Sequence, residues 1–280
     1  MPRDDARGVL VGLVGRGIQL SRTPAMHVAE GAALGLDYRY ELIDPDAMTD
    51  APSLADILDR AQADGFAGLN VTFPFKRDVM ALLDELSPAA SKVGAVNTVV
   101  FADGKRRGHN TDFWGFAESL RRGLPDAGKD AVLLLGAGGA GGAVAHALRE
   151  VGVRDLMIYD ANADAAATLA ASVAGEGISD LAAAAPRAQG IVNATPMGMA
   201  KLPGMAIPAP LIEPRHWVAD IVYFPRETEL LATARARGCR VLDGSGMAVF
   251  QAVRAFELFS GLVPDPNRMR ATFEAFTDPN

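Results

Sequence analysis

Ala131-Val-Leu-Leu-Leu-Gly136-Ala-Gly138-Gly-Ala-Gly141-Gly142-Ala-Val-Ala-His-Ala-Leu148 is the stretch on which the reading of the chain turns. A short apolar run, a glycine cluster and an alanine-rich run predict strand, tight turn and helix in that order. The spacing of Gly136, Gly138 and Gly141 is GxGxxG. It suits a turn whose backbone approaches a pyrophosphate while the next helix packs against the strand and aims its free N–H groups at the anion. Glycine turns are common, so the flanks decide. Val153–Tyr159 reads as a second strand ending at Asp160, and Asp160 follows Gly141 at about the 20-residue spacing expected of the acid that binds a ribose. Gly136, Ala137, Gly138, Gly139, Ala140, Gly141 and Asp160 are therefore candidate dinucleotide-binding residues. The uncharged run Ala131–Leu148 is long enough to raise the question of a membrane span, but its glycines favour a buried core element.

Length and composition set bounds around this motif. At 280 residues, with 49% apolar and 22% charged residues, the chain is an ordinary globular protein of two domains. Its net charge of −7 argues against general nucleic-acid binding. The single cysteine, Cys239, excludes an intrachain disulfide and a CxxC metal site, and the four histidines are scattered, so no metal is expected. The N-terminus makes a poor signal peptide, and a cytoplasmic location is expected.

Upstream, β and α signals alternate: strand Val9–Val14, helix Pro24–Leu34 capped by Thr23, strand Tyr38–Ile43, helix Leu54–Ala63 and strand Gly68–Val71. A helix over Phe75–Leu86, a β-like run Ala95–Phe101, a turn at Asp103-Gly104 with its hairpin partner Lys105–Asn110, and a helix Asp112–Arg122 follow. Beyond Asp160 come an alanine-rich helix, strands Gly190–Asn193 and Trp217–Ile221, helix Glu227–Arg237, strand Arg240–Leu242 and a helix Gly246–Phe259. The fold class is α/β, with parallel or mostly parallel sheets.

Three polar clusters punctuate the first half. Ser21 and Thr23 place two hydroxyls at a helix start, where they cap the helix or bind an anion. Asn70-Val-Thr72-Phe-Pro-Phe-Lys76 leaves a strand and puts a lysine at the expected start of the next helix, where dipole and apolar neighbours would lower its pKa towards acid–base use. Asn97 and Asp112 flank the hairpin. Each has an ordinary reading as a turn or cap residue; together with Lys76 they form a set able to hold a hydroxyl and move its proton.

Taken together, Ser21-x-Thr23-Pro-x-x-His27, Asn70-Val-Thr-x-Pro-x-Lys76, Gly94-Ala-Val-Asn97-Thr, Asn110-Thr-Asp112, the Gly136–Gly142 turn, Asn193-Ala-Thr195-Pro-Met197-Gly198 and Asp243-Gly244-x-Gly-Met247-x-x-x-Gln251 resemble the shikimate dehydrogenase family, most of all its NAD-dependent quinate/shikimate branch. The resemblance covers nearly the whole chain. It implies a substrate-binding catalytic domain over residues 1–112, completed by C-terminal helices over 247–280, and a Rossmann domain over 113–246, with the active site in the cleft between them. It implies that Lys76, oriented by Asp112, takes the proton of a ring hydroxyl while NAD accepts the hydride. By the same resemblance, Ser21 and Thr23 hold the substrate carboxylate, and Thr72, Asn97, Tyr223 and Gln251 its hydroxyls. Asn193, Thr195, Met197, Gly244 and Met247 complete the cofactor site. Thr23 stands where many members have serine, and Asp160-Ala-Asn162 stands where NADP-dependent members carry an Asn-Arg-Thr motif. An acid with no adjacent arginine repels a 2′-phosphate, so NAD is expected in preference to NADP. The expected partner is a small hydroxy acid, with no nucleic acid and no membrane, and the chain a monomer or homodimer. The rival readings are an NADP-dependent shikimate dehydrogenase of aromatic amino acid biosynthesis, an aminoshikimate-type enzyme and a non-catalytic NAD sensor.

Overall fold

Strand residues that pair on both sides leave loops only at their ends, and here those ends collect the polar motifs. The computed structural model describes residues 8–49 and 51–276. They form two compact units: the described residues up to Thr111 together with those from Gln251 onward, and Asp112–Phe250.

In the first unit, β1 (Gly8–Val14) pairs in parallel with β2 (Asp37–Ile43) on one side and β3 (Gly68–Val71) on the other. The crossovers are α1 (Thr23–Ala33) and α2 (Leu54–Ala63), the latter started by a capping box between Ser53 and Asp56. Short β4 (Glu85–Leu86) and α3 (Pro88–Val93) lead to the antiparallel hairpin β5 (Thr98–Ala102) and β6 (Lys105–His109). Asp103 and Gly104 both take positive φ at its turn, as a right-twisted two-residue hairpin requires. The sheet order is β2-β1-β3-β5-β6-β4, a mixed sheet. Val14, Leu58, Leu69, Val71 and Val99 pack with α2 in its core.

The second unit begins in α4 (Thr111–Gly123) and continues β7 (Ala131–Leu135), α5 (Gly139–Glu150), β8 (Asp155–Tyr159), α6 (Ala163–Ser172), β9 (Glu176–Gly177), α7 (Leu181–Ala184), β10 (Gly190–Asn193), β11 (Trp217–Asp220), α8 (Glu229–Ala236) and β12 (Arg240–Leu242). Every pairing in its sheet, ordered β12-β11-β10-β7-β8-β9, is parallel. Such strands are buried on both faces, which explains their continuous apolar runs. Val132 and Leu134 enter the core shared with α5, whereas Leu133 and Leu135 enter the opposite core with α8. Ala131–Leu148 is thus divided between a buried strand and a buried helix, and no helix among the described residues is long and apolar enough to cross a membrane. The chain ends in α9 (Ser245–Ser260) and α10 (Pro266–Glu274); Phe256 stacks on Tyr38 at 4.9 Å, and Arg268 grips the fully buried Glu30 of α1 with two hydrogen bonds of 2.6 and 2.7 Å.

Three local expectations fail. Phe75–Leu86 is not one helix: turn residues run to Arg77, a 3-10 turn spans Asp78–Leu82, and β4 follows. The Lys76 carbonyl that an α-helix would need accepts instead from the Val96 N–H at 2.8 Å, so the ladder cannot start there. The same bond delays the strand expected from Ala95 until Thr98. Thr23 is the first residue of α1 and not its cap; the cap position falls to Arg22, because the Ser21 hydroxyl draws in the Thr23 N–H at 3.4 Å. Helix α3 was also not foreseen, although Ser87, Pro88 and the left-handed Gly94 mark its two ends.

Candidate active site

Parallel sheets bind ligands beyond the carboxyl ends of their strands, at the point where the strand order reverses. In the first unit that point lies between β1 and β3. The loop after β1 carries Ser21, and the loop after β3 carries Thr72 and Lys76. They lie against each other: the Arg16 N–H donates to the Phe73 carbonyl at 3.0 Å, and a Cβ on Gly15 would strike the Thr72 methyl. Asp44, at the end of β2, ties down the first loop by accepting from the Gln19 amide at 2.7 Å and the Gly17 N–H at 3.0 Å. Those donors, with the Asp46 N–H and the Arg16 guanidinium, hold its carboxyl below the usual range.

Antiparallel pairing brings the start of β5 to this same edge, since Asn70 faces Thr98 and Thr98 faces His109. Asn97 is therefore delivered beside the β3 exit, with its carbonyl accepting from the Val71 N–H at 2.8 Å. Its buried carboxamide accepts from the Thr111 N–H at 2.7 Å and donates to the Thr111 hydroxyl at 2.9 Å. One amide hydrogen remains for a ligand. Lys76 is half-buried in the turn after β3. With no α-helix starting there, the dipole argument for this lysine falls away. Asp112 is buried in the first turn of α4, and Gln251 is half-buried on α9.

The second unit has its reversal between β7 and β10, and the glycine turn sits there. The three glycines of the motif do three different things. Gly136 has φ of 102°, and a Cβ on it would come within 2.9 Å of the Ala194 backbone. A Cβ on Gly141 would run into the Gly136 carbonyl, so this position lets α5 close on the turn. A Cβ on Gly138 would meet nothing within 4 Å; the glycine there leaves open space in front of the α5 N-terminus, as the approach of a diphosphate requires. Asp160, at the end of β8, accepts from the Ala137 N–H at 2.7 Å and from the Asn162 N–H at 2.8 Å. Its carboxylate stands over the turn with lone pairs to spare, and among the described residues no Lys or Arg pairs with it. These groups fit a dinucleotide with free ribose hydroxyls.

Asn193 ends β10 and shapes the loop after it. Its oxygen accepts from the Thr195 N–H and hydroxyl at 3.1 and 2.6 Å, and its amide donates to the Met197 carbonyl at 3.0 Å and to Asp220 at 2.9 Å. The residue is 1% exposed and its side chain is engaged by the Thr195, Met197 and Asp220 bonds, so Asn193 fixes Thr195 and Met197 and leaves no free donor of its own for a ligand. Tyr223 is 41% exposed beyond β11. Gly244 is closed in by the Ile221 and Val222 carbonyls, within 2.5 and 2.6 Å of where a Cβ would lie, and Met247 joins the core beside α5.

Residues 13–99 match the model of the shikimate dehydrogenase substrate binding domain. The chain is 53% identical over 272 residues to a shikimate dehydrogenase (NADP(+)) of Streptomyces avermitilis, covering 94% of each chain. It is 50% identical over 278 residues to a quinate/shikimate dehydrogenase (NAD(+)) of Corynebacterium efficiens, covering 95% of this chain and 97% of the relative. The chain belongs to the shikimate dehydrogenase family. Its fold superposes on the quinate dehydrogenase of Corynebacterium glutamicum in complex with NAD with a TM-score of 0.93, at 47% identity, over 96% of this chain and all of that one.

Sequence reasoning missed the residues that hold the others: Asp44, Asn70 and Asp220. Asn70 is buried, accepts from the Tyr40 hydroxyl at 2.8 Å and donates to the Thr98 hydroxyl at 3.1 Å. A polar residue inside an apolar strand was the available signal for Asn70 and Asp220. Asp44 carried no signal beyond an ordinary turn acid. Among the described residues no group of His, Cys, Asp or Glu could hold a metal ion.

Proposed function

We propose that the chain is an NAD-dependent oxidoreductase that reversibly oxidises the ring hydroxyl of shikimate, quinate or both, to 3-dehydroshikimate or 3-dehydroquinate. The observation that carries the cofactor choice is Asp160, anchored to the Ala137 amide of the glycine turn and, among the described residues, paired with no Lys or Arg. A 2′-phosphate would meet a bare carboxylate there, whereas ribose hydroxyls would meet an acceptor. With the Gly136 and Ala137 N–H groups engaged by the Tyr159 carbonyl and Asp160, the N–H groups of Gly138 to Gly141 at the start of α5 hold the pyrophosphate, and Thr195, Met197, Gly244 and Met247 line the nicotinamide side. NAD, when bound, accepts the hydride.

In this reading residues 1–112 and 247–280 bind substrate and residues 113–246 bind nucleotide. Ser21 and Thr23 hold the carboxylate; Thr72, Asn97, Tyr223 and Gln251 hold hydroxyls. Lys76 takes the hydroxyl proton at Nζ, and Asp112 orients the lysine and balances its charge. The protein works in the cytoplasm as a monomer or homodimer on a small hydroxy acid, without nucleic acid or membrane.

The Streptomyces relative named for NADP(+) makes the opposite cofactor choice the second reading. Mixing the protein with NAD or NADP and with shikimate or quinate, and following absorbance of the reduced nicotinamide, separates the two. Turnover with NAD supports the proposal; turnover with NADP alone reverses the cofactor assignment. Silence in all four mixtures with NAD still bound leaves the sensor or an amino-substituted substrate.

A further inference from the structure

Asp220 belongs to none of the groups assigned above, yet it is 2% exposed at the carboxyl end of β11, directly opposite Asn193 in the strand register. One of its oxygens accepts from the Asn193 amide at 2.9 Å and from the Val222 N–H at 3.0 Å; the other accepts from the Thr228 hydroxyl at 2.7 Å. Each donor belongs to a different segment. Through Asn193 the carboxylate reaches the Thr195–Met197 loop, whose own bonds close back on Asn193. Through Val222 it fixes the residue before Tyr223. Through Thr228 it reaches the start of α8, where the same hydroxyl oxygen accepts the Leu231 N–H at 3.3 Å. Gly198, at φ 100°, packs over Thr228 and the same carboxylate, with 3.3 and 3.8 Å to where its Cβ would stand.

A strand-end acid with a purely local role would satisfy the N–H two residues on and stop. Here two of the three bonds leave the neighbourhood, and both go to side chains that themselves hold backbone. We propose that Asp220 is a positioning residue: a buried carboxylate that sets the Thr195–Met197 loop and the Val222–Tyr223 segment in fixed relation at the nicotinamide end of the site. A carboxylate suits the place because all three partners donate. The Thr228 hydroxyl gives its proton to this carboxylate while its oxygen accepts the Leu231 N–H, and an amide nitrogen in place of the carboxylate oxygen would take that acceptor away from the hydroxyl proton. The burial that pushes the Asp220 carboxyl upward is opposed by these same three bonds.

The proposal rests on reading this unit as nucleotide-binding, and its test needs no turnover. NAD is titrated calorimetrically into the unmodified protein, Asp220→Ala, Asp220→Asn and Thr228→Val, and amide hydrogen exchange is followed over residues 194–198 and 222–223. Asp220→Ala is expected to weaken NAD binding about tenfold and to speed exchange in both segments. Asp220→Asn keeps an oxygen for Asn193 and Val222 and recovers most of the affinity. Adding Thr195→Ala to Asp220→Ala costs less than the two singly, because both act on one loop. NAD affinity and exchange unchanged in Asp220→Ala overturn the proposal, as does full additivity with Thr195→Ala. If Asp220→Ala does not fold, Thr228→Val removes one donor from an intact carboxylate and carries the same test at smaller amplitude. If the unmodified protein binds no NAD, the nucleotide reading fails, while the exchange rates still decide whether Asp220 holds the two segments.

Discussion

The two units use one device in two ways. Each has a parallel β-strand whose neighbours are reached in opposite directions, and each puts a glycine at the exit of that strand, Gly15 in the first unit and Gly136 in the second. Both glycines let the next loop close in, Thr72 on Gly15 and Ala194 on Gly136. Beyond that they diverge. The second unit, on the proposed reading, would bind with backbone, from one contiguous turn and a single acid, because a pyrophosphate needs N–H groups and a ribose needs an acceptor. The first unit, on the proposed reading, would bind with side chains brought from the exits of β1 and β3 and the entry of β5. A contiguous backbone site is written locally, and a side-chain site is assembled by strand register.

The comparison can be broken most sharply at Lys76. If Lys76 carries the proton and the glycine turn the cofactor, Lys76→Ala should cut turnover by about 10²–10⁴ while NAD affinity, measured by titration, stays within a factor of about two. A variant with near-normal turnover removes Lys76 from the mechanism. Next comes the claim that the three glycines are not equivalent. Gly141→Ala forces a methyl into the Gly136 carbonyl and should cost about 1–3 kcal/mol of stability in urea unfolding. Gly138→Ala should leave stability nearly unchanged and weaken NAD binding, because its methyl enters open space. Equal effects at the two positions would refute the division of labour.

A third test bears on the buried polar groups of the first unit. Burial lowers His27 to about 3, its Nδ1 sharing a 2.9 Å hydrogen bond with the Tyr38 hydroxyl. The unfolded chain takes up that proton near pH 6.5, so stability is full above this pH and falls as pH drops towards 3, by about 2 kcal/mol at pH 5. His27→Leu should remove that part of the slope between pH 7.5 and 5; an unchanged slope would place the proton uptake elsewhere. The smallest effect is expected at Asp160. Asp160→Ala should lower the preference for NAD over NADP about tenfold, since one acceptor and one repulsion are lost together. A preference unmoved by this change would show that the discrimination lies outside the ribose acid.

Much of the second unit was legible because its signals are short-range. Apolar runs between turn residues gave β7, β10 and β12 with their observed ends, and the glycine spacing with Asp160 named the ligand class. The first unit misled where long-range bonds displaced local preference. Phe75–Leu86 has a plausible helical pattern, but the Val96 N–H captures the Lys76 carbonyl from 20 residues away in sequence and turns the segment aside. Helix α3 was missed for a different reason: its cap residues Ser87 and Gly94 were present, but six residues carry too little periodicity to mark a helix between them.

The βα alternation of the second unit up to β8, the identity of the glycine turn and the chemical character of Ser21, Lys76, Asn97 and Asp112 were determined by the sequence alone, because hydrophobic period, turn chemistry and side-chain donors are properties of neighbouring residues. Tertiary structure decided that Asn97 faces Thr111, that Asp44 ties down the loop carrying Ser21, and that Asp220 joins three segments. Those bonds link positions made adjacent only by strand pairing, and a buried polar side chain does not reveal in sequence which distant donor will complete it.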